Sequence, residues 1–204
     1  DVRGRSQTLR INYRTSHQIR RQADRLLDPE LGDVDGNRED RSGTISVFNG
    51  SEPQIHVAES IEEEAQFVAS WLGDRIGDGI LPHEIGIFVR SESELKRAKT
   101  AISIAGLTFT ELDARNESVP GTVALCTMHI AKGLEFRAVA VVACDDEIIP
   151  SQVRIGAVSE ESDLEEVYNT ERHLLYVACT RARDQLLLSG VEPASEFLDD
   201  LLLK

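Results

Sequence analysis

Two short runs constrain this chain more than anything else in it. Residues 85–89 (Ile-Gly-Ile-Phe-Val) and 138–143 (Ala-Val-Ala-Val-Val-Ala) carry no polar side chain at any position. A run of that length with both faces apolar reads as a strand covered above and below, which is the condition of a parallel sheet sandwiched between helices. Helical patterns alternate with the strands. Ser60 with Glu63 forms a capping-box pattern ahead of Ile61, Ala65, Val68, Leu72 and Ile76, and Ser91 with Glu94 repeats it ahead of Leu95, Ala98, Ile102 and Ala105, with Gly106 as the stop. Thr15 or Ser16 is the N-cap of a first helix bearing Ile19, Ala23, Leu26 and Leu27; a long helix is expected over about 164–178 and a short one near 195–202. Further strands are expected at 9–11, 44–48, 54–58, 108–112, 122–126 and 185–189, with an acidic, Gly-rich loop at 28–43. The pattern predicts an α/β fold around a mainly parallel sheet.

Charge and composition narrow the function classes. The 204 residues carry 22 Lys and Arg against 36 Asp and Glu, a formal charge of −14, which argues against a stand-alone nucleic-acid binder with a basic face. No stretch approaches the ~20 apolar residues of a membrane span, and none resembles a signal peptide, so no membrane association and a cytoplasmic location are expected. Cys126, Cys144 and Cys179 form no Cys-x-x-Cys pair, and the five histidines show no His-x-x-x-His spacing; a reducing compartment and no metal site are expected. Residues 1–27 stand apart, with seven Arg and two Asp, 7 − 2 = +5. Most of those arginines read as a solvated helix face, but an anion would be met there sooner than elsewhere.

Ligands of open α/β sheets gather at the carboxyl ends of strands. Three polar segments are expected there: Asn12-Tyr13-Arg14-Thr15, the stretch from Thr127 to Phe136, and the stretch from Tyr176 to Arg183. Singly, each has an ordinary explanation, for example Arg181 and Arg183 offsetting a helix C-terminus. In this order and spacing they resemble motifs IV, V and VI of the UvrD/Rep-type superfamily I DNA helicases: Leu9-x-x-Asn12-Tyr13-Arg14-Thr15, then Thr127-x-His129-x-x-Lys132-Gly133-Leu134-Glu135-Phe136, then Glu171-Arg172-x-x-Leu175-Tyr176-Val177-Ala178-x-Thr180-Arg181-Ala182.

The resemblance implies a RecA-like, P-loop NTPase-type domain spanning residues 1–204, the second of two that sandwich ATP. Tyr13 would stack on adenine, Arg14 and Arg181 would be arginine fingers, Glu135 would meet the ribose, and Gly133 would allow a tight turn. Thr127 and His129 would touch single-stranded DNA and couple it to the nucleotide; Lys132 is expected to be simply exposed. The chain has no Gly-x-x-x-x-Gly-Lys-Ser/Thr of its own, so the phosphate loop and the Mg²⁺ ligands are expected on an N-terminal RecA-like domain. A start within a few residues of motif IV implies a C-terminal piece of a longer protein, inactive alone, and a short loop at about 113–122 would stand where larger relatives carry a helical insertion. Thr15, where the family more often has Ser, would still cap a helix. Cys179 reads as a packed small residue. Asp145-Asp146-Glu147 reads as an exposed loop in preference to a hard-metal site. The rival reading is a non-catalytic protein-interaction module, favoured by the acidic charge and opposed by Arg14, Glu135 and Arg181. RNA is not distinguished from DNA, since phosphate contacts do not read the sugar.

Overall fold

The computed structural model describes residues 11–27, 45–113 and 118–202. The expected loop at 28–43, the first residues of the expected strand at 9–11, and positions 114–117 of the expected short loop lie outside them.

Six strands form one sheet in the order β3 (Gln54–Ala58), β8 (Ala182–Val191), β7 (Phe136–Val141), β4 (Ile85–Val89), β6 (Val123–Thr127) and β5 (Phe109–Glu111). Every neighbouring pair is parallel. The two all-apolar runs are adjacent at its centre, with Ile87 opposite Ala140. A separate parallel pair joins β1 (Ile11–Asn12) to β2 (Ile45–Ser46).

Pleating splits the central side chains between two cores. Ile85, Ile87 and Val89 of β4 face α2 (Ile61–Gly77) and α3 (Leu95–Ile104), burying Val68, Trp71, Leu72 and Ile102. Phe88, with Val139 and Val141 of β7, faces the opposite way, toward α1 (His17–Ala23), α5 (Glu161–Cys179) and α6 (Glu196–Leu202), burying Ile19, Leu175 and Phe197. Alternation of period two along strands that are buried throughout requires helices on both faces, and they are there.

Local chemistry explains where helices begin and stop. Ser60 caps α2 by accepting from the Glu63 amide, and the Glu63 carboxylate reaches back to the Glu59 amide, one residue before the expected partner. The box expected at Ser91 does not form. Ser91 Oγ pairs with Ser93 Oγ, and a turn of 3₁₀ helix over Glu92–Glu94 precedes α3. Gly106 ends α3 with φ +69°, its amide reaching Ser103 and the Leu107 amide reaching Ile102. The short helix α4 (Gln152–Gly156) has no apolar periodicity and was not foreseen.

Gly86 has a packing duty. A Cβ built there would sit 2.5 Å from the Phe136 ring, which lies over β4 at the start of β7. Gly86→Ala is therefore expected to cost about 1–3 kcal/mol, read as a lower urea midpoint at unchanged m value, because Phe136 must leave its place. An unchanged midpoint would show that the ring has room to yield.

Candidate nucleotide and nucleic-acid site

The first cluster is built by hydrogen bonds between the two ends of the chain. Buried Thr15 donates its hydroxyl to the Thr180 carbonyl at 3.1 Å, across 165 residues of sequence. The Ser16 amide donates to the Arg183 carbonyl at 3.0 Å, and the Phe136 amide donates to the Arg181 carbonyl at 3.0 Å. Ser16, not Thr15, caps α1, accepting from the Ile19 amide. Of the two caps the sequence offered, Ser16 is the one that forms, and Thr15, expected still to cap a helix, is instead a tie between segments.

These ties bring Arg14, Glu135 and Arg181 together. Arg14 Nε lies 2.5 Å from Glu135 Oε1, with both side chains largely in solvent. Half-buried Arg181 is held by backbone: Nε donates to the Val177 carbonyl at 3.0 Å and Nη1 to the Leu134 carbonyl at 3.3 Å. Burial draws the Arg181 guanidinium below its ordinary value; Glu135 opposes that shift and the positive charge of Arg14 adds to it. Among the described residues, the Arg14 and Arg181 guanidinium groups both lie close to the Glu135 carboxylate. Tyr13, 63% exposed, precedes Arg14 in the chain with its ring available for stacking. Gly133 has φ +90° and no atom within 4 Å of a built Cβ, so its constraint is conformational and not steric. Lys132 is exposed, as expected.

Thr127 and His129 belong to a different edge of the sheet. Thr127 ends β6, and His129 lies in the 3₁₀ turn Met128–Ile130 that follows. Glu135 and Arg181 immediately precede β7 and β8. In a parallel sheet those are opposite edges, about 20 Å apart over the six residues of β7. The expectation that all three segments gather at carboxyl ends is corrected here: the arginine cluster sits at the amino ends of β7 and β8. The ten residues from Thr127 to Phe136 run from the end of β6 to the start of β7 and so reach both edges.

At the carboxyl edge the sequence reading missed a buried charge cluster. Arg90, 6% exposed, leaves the end of β4 and grips Glu171 of α5 with two bonds, Nε to Oε2 at 2.5 Å and Nη2 to Oε1 at 2.6 Å. Arg154 of α4 adds a third bond to Glu171 at 2.9 Å. The remaining face of Arg90 meets His129, Nη1 to Nε2 at 2.9 Å. A lone arginine closing an apolar strand was the one available signal, since such a charge needs a partner once buried.

Asp145 is likewise no solvated loop residue. Its carboxylate takes Arg97 Nη1 at 2.5 Å and the Val191 amide at 2.7 Å, and Arg97 also binds buried Glu64. The three cysteines are buried; burial pushes the Cys126 and Cys179 thiols up to about 12, which suits packing and not redox chemistry.

The charge clusters set a pH dependence. Burial alone would raise the Glu171 carboxyl, but the bonds from Arg90 and Arg154 outweigh it and hold the group below its ordinary 4.5. Asp184, bonded by Arg183, is held below 3.8. His129 is held below 6.5 by desolvation and then by Arg90. A group with a lowered folded pKa contributes stability that is present above its unfolded value and lost as pH falls. The urea midpoint is therefore expected to decline from below pH 6.5 and more steeply below 4.5. A midpoint that rose between pH 7 and 4 would contradict these assignments.

A six-stranded parallel sheet with helices on both faces makes this an α/β architecture of the doubly covered kind, with two arginines at one end of its central strands. Residues 99–192 match the family described as the UvrD-like helicase C-terminal domain. Among similar proteins, the ATP-dependent DNA helicase UvrD1 of Mycobacterium leprae is 40% identical over 81 residues, which are 40% of this chain and 10% of that protein. The ATP-dependent DNA helicase PcrA of Bacillus subtilis is 34% identical over 89 residues, 43% of this chain and 11% of that protein. The matched region thus spans about a tenth of the length of either relative. A crystal structure of the C-terminal domain of a possible DNA helicase from Lactobacillus plantarum WCFS1 shares the fold, with TM-score 0.62 and 23% identity over 93% of this chain and 94% of that one.

Proposed function

We propose that this chain is the second motor domain of an ATP-dependent DNA helicase or translocase, spanning residues 1–204 as one unit. The observation that carries the proposal is the meeting of Arg14, Glu135 and Arg181 at one sheet edge through hydrogen bonds between distant segments. The residues fit a triphosphate met from one side: two guanidinium groups for phosphate oxygens, a carboxylate for ribose hydroxyls, and an exposed aromatic face for a base. They do not fit a complete site, because the sequence holds no phosphate loop. An N-terminal RecA-like domain would supply that loop, the Mg²⁺ ligands and the base that activates water.

Each residue has a definite task in that arrangement. Tyr13 orients the nucleotide by stacking. Arg14 exchanges Glu135 for phosphate when the cleft closes, which frees the carboxylate for the ribose. Arg181 is preorganised by the Val177 and Leu134 carbonyls, so its guanidinium faces charge that grows on the γ-phosphate oxygens without first having to be ordered. Thr127 and His129 meet single-stranded DNA at the other edge. Helix α5 spans the two, with Glu171 holding the Arg90 that touches His129 and with Arg181 just past the helix end, about 15 Å along the axis. A rigid helix bonded at both places is a direct physical link between DNA contact and nucleotide contact.

The 204-residue chain alone is expected to release no phosphate from ATP above buffer, with or without single-stranded DNA, and to bind that DNA weakly. The full-length protein is expected to hydrolyse ATP with stimulation by DNA. Robust turnover by the chain alone would sink the proposal.

A further inference from the structure

The contact between Arg90 and His129 restricts which hydrogen atoms His129 can carry. A guanidinium has five N–H groups and no acceptor. With Arg90 Nη1 2.9 Å from His129 Nε2, that ring nitrogen must present its lone pair. A neutral imidazole has one N–H, which then resides on Nδ1. Arg90 cannot rotate away, because Nε and Nη2 are both committed to Glu171, whose side chain is fully buried. Nor can it give up its charge. His129 itself is exposed.

We propose that Arg90, clamped by Glu171, is a positioning residue that fixes His129 as its neutral Nδ1–H tautomer, so that His129 meets single-stranded DNA as a directed hydrogen-bond donor and not as a cation. The proposal rests on the reading of His129 as a DNA contact. Protonation would place an N–H on Nε2 directly against an N–H of Arg90. The charges facing the ring from the elements packed around it are Arg90 after β4, Glu171 on α5 and Arg154 on α4; two of the three are positive and oppose a second proton. A neutral donor suits a step that must grip and release. It binds phosphate or base by geometry, and it displaces no counterion.

Two measurements test it separately. The first uses the 204-residue chain with ¹⁵N-labelled histidine, the His129 signals being assigned by their loss in His129→Gln. At pH 7, Nε2 is expected to show the shift of an unprotonated acceptor and Nδ1 that of an N–H. In Arg90→Met/Glu171→Met, which removes both buried charges together and so retains the fold, the two tautomers are expected to average and the ring to titrate at higher pH than in the wild type. A protonated Nε2 in the wild type, or an unchanged titration in the double variant, would overturn the lock.

The second uses the full-length protein, with binding to single-stranded DNA followed against salt. His129→Ala is expected to weaken binding at every salt concentration and leave the slope of log K against log salt unchanged. A slope shallower by about 0.7, one counterion's worth on a single strand, would mean that His129 acts as a cation and overturn the neutral-donor role. Unaltered binding would overturn the DNA role and the reading of His129 beneath it, while the tautomer result from the isolated chain would stand.

Discussion

Arg181→Ala in the full-length protein is expected to lower kcat for DNA-stimulated ATP hydrolysis by about 10³–10⁵-fold, equivalent to roughly 4–7 kcal/mol of barrier, with a much smaller change in KM. The split follows from timing. Charge accumulates on the transferred phosphoryl group only as the transition state forms, so a guanidinium aimed there acts on kcat. Stability should fall by only about 1–3 kcal/mol, because the Val177 and Leu134 carbonyls that Arg181 satisfies lie at a half-buried edge that water can reach. Arg181→Lys keeps the charge but loses the planar fork held between those carbonyls, so it should recover only part of the rate. Full activity in Arg181→Ala would favour the rival reading, a domain kept for protein contacts.

Glu171→Ala is the largest stability effect expected, about 3–5 kcal/mol by urea denaturation. Removing the carboxylate leaves Arg90, 6% exposed, as a charge without its partner in the protein interior. Against a typical total of about 5–15 kcal/mol, that loss brings the domain close to unfolding at ordinary temperature. Arg90→Met/Glu171→Met should restore most of it, since the cost lies in the uncompensated charge and not in the missing attraction. A Glu171→Ala protein as stable as the wild type would mean that water reaches Arg90 freely.

The strands show which kinds of information a sequence carries openly. Residues 54–58 and 85–89 fold as read, and the helices at Ile61–Gly77 and Leu95–Ile104 follow their apolar spacing. Burial on one face leaves a period in the chain and burial on both leaves an unbroken apolar run, and neither signal needs knowledge of the partner. Capping was less legible. Ser60 caps and Ser91 does not, although both stand three residues before a glutamate, because the turn that follows Ser91 tightens to 3₁₀. Asp145 looked like one member of an exposed acidic run, yet Arg97 claims it from 48 residues away. A charge pair between distant elements writes no periodicity, so Arg97, Arg90 and Arg154 gave no local sign of their partners.

The site divides along the same line. Residue types and spacing pointed to the parallel α/β architecture, and the resemblance of three motifs to a helicase family pointed to the candidates Tyr13, Arg14, Thr127, His129, Gly133, Glu135 and Arg181; both kinds of pattern are local and survive in an unfolded string. Only the tertiary structure decided that Arg14, Glu135 and Arg181 share one edge while Thr127 and His129 lie on the other. Strand direction sets which end of the sheet a loop reaches, and direction exists only once the strands are paired. It likewise took the folded chain to bring Arg90 against His129, since a hydrogen bond depends on where atoms stand in space and not on their separation along the chain.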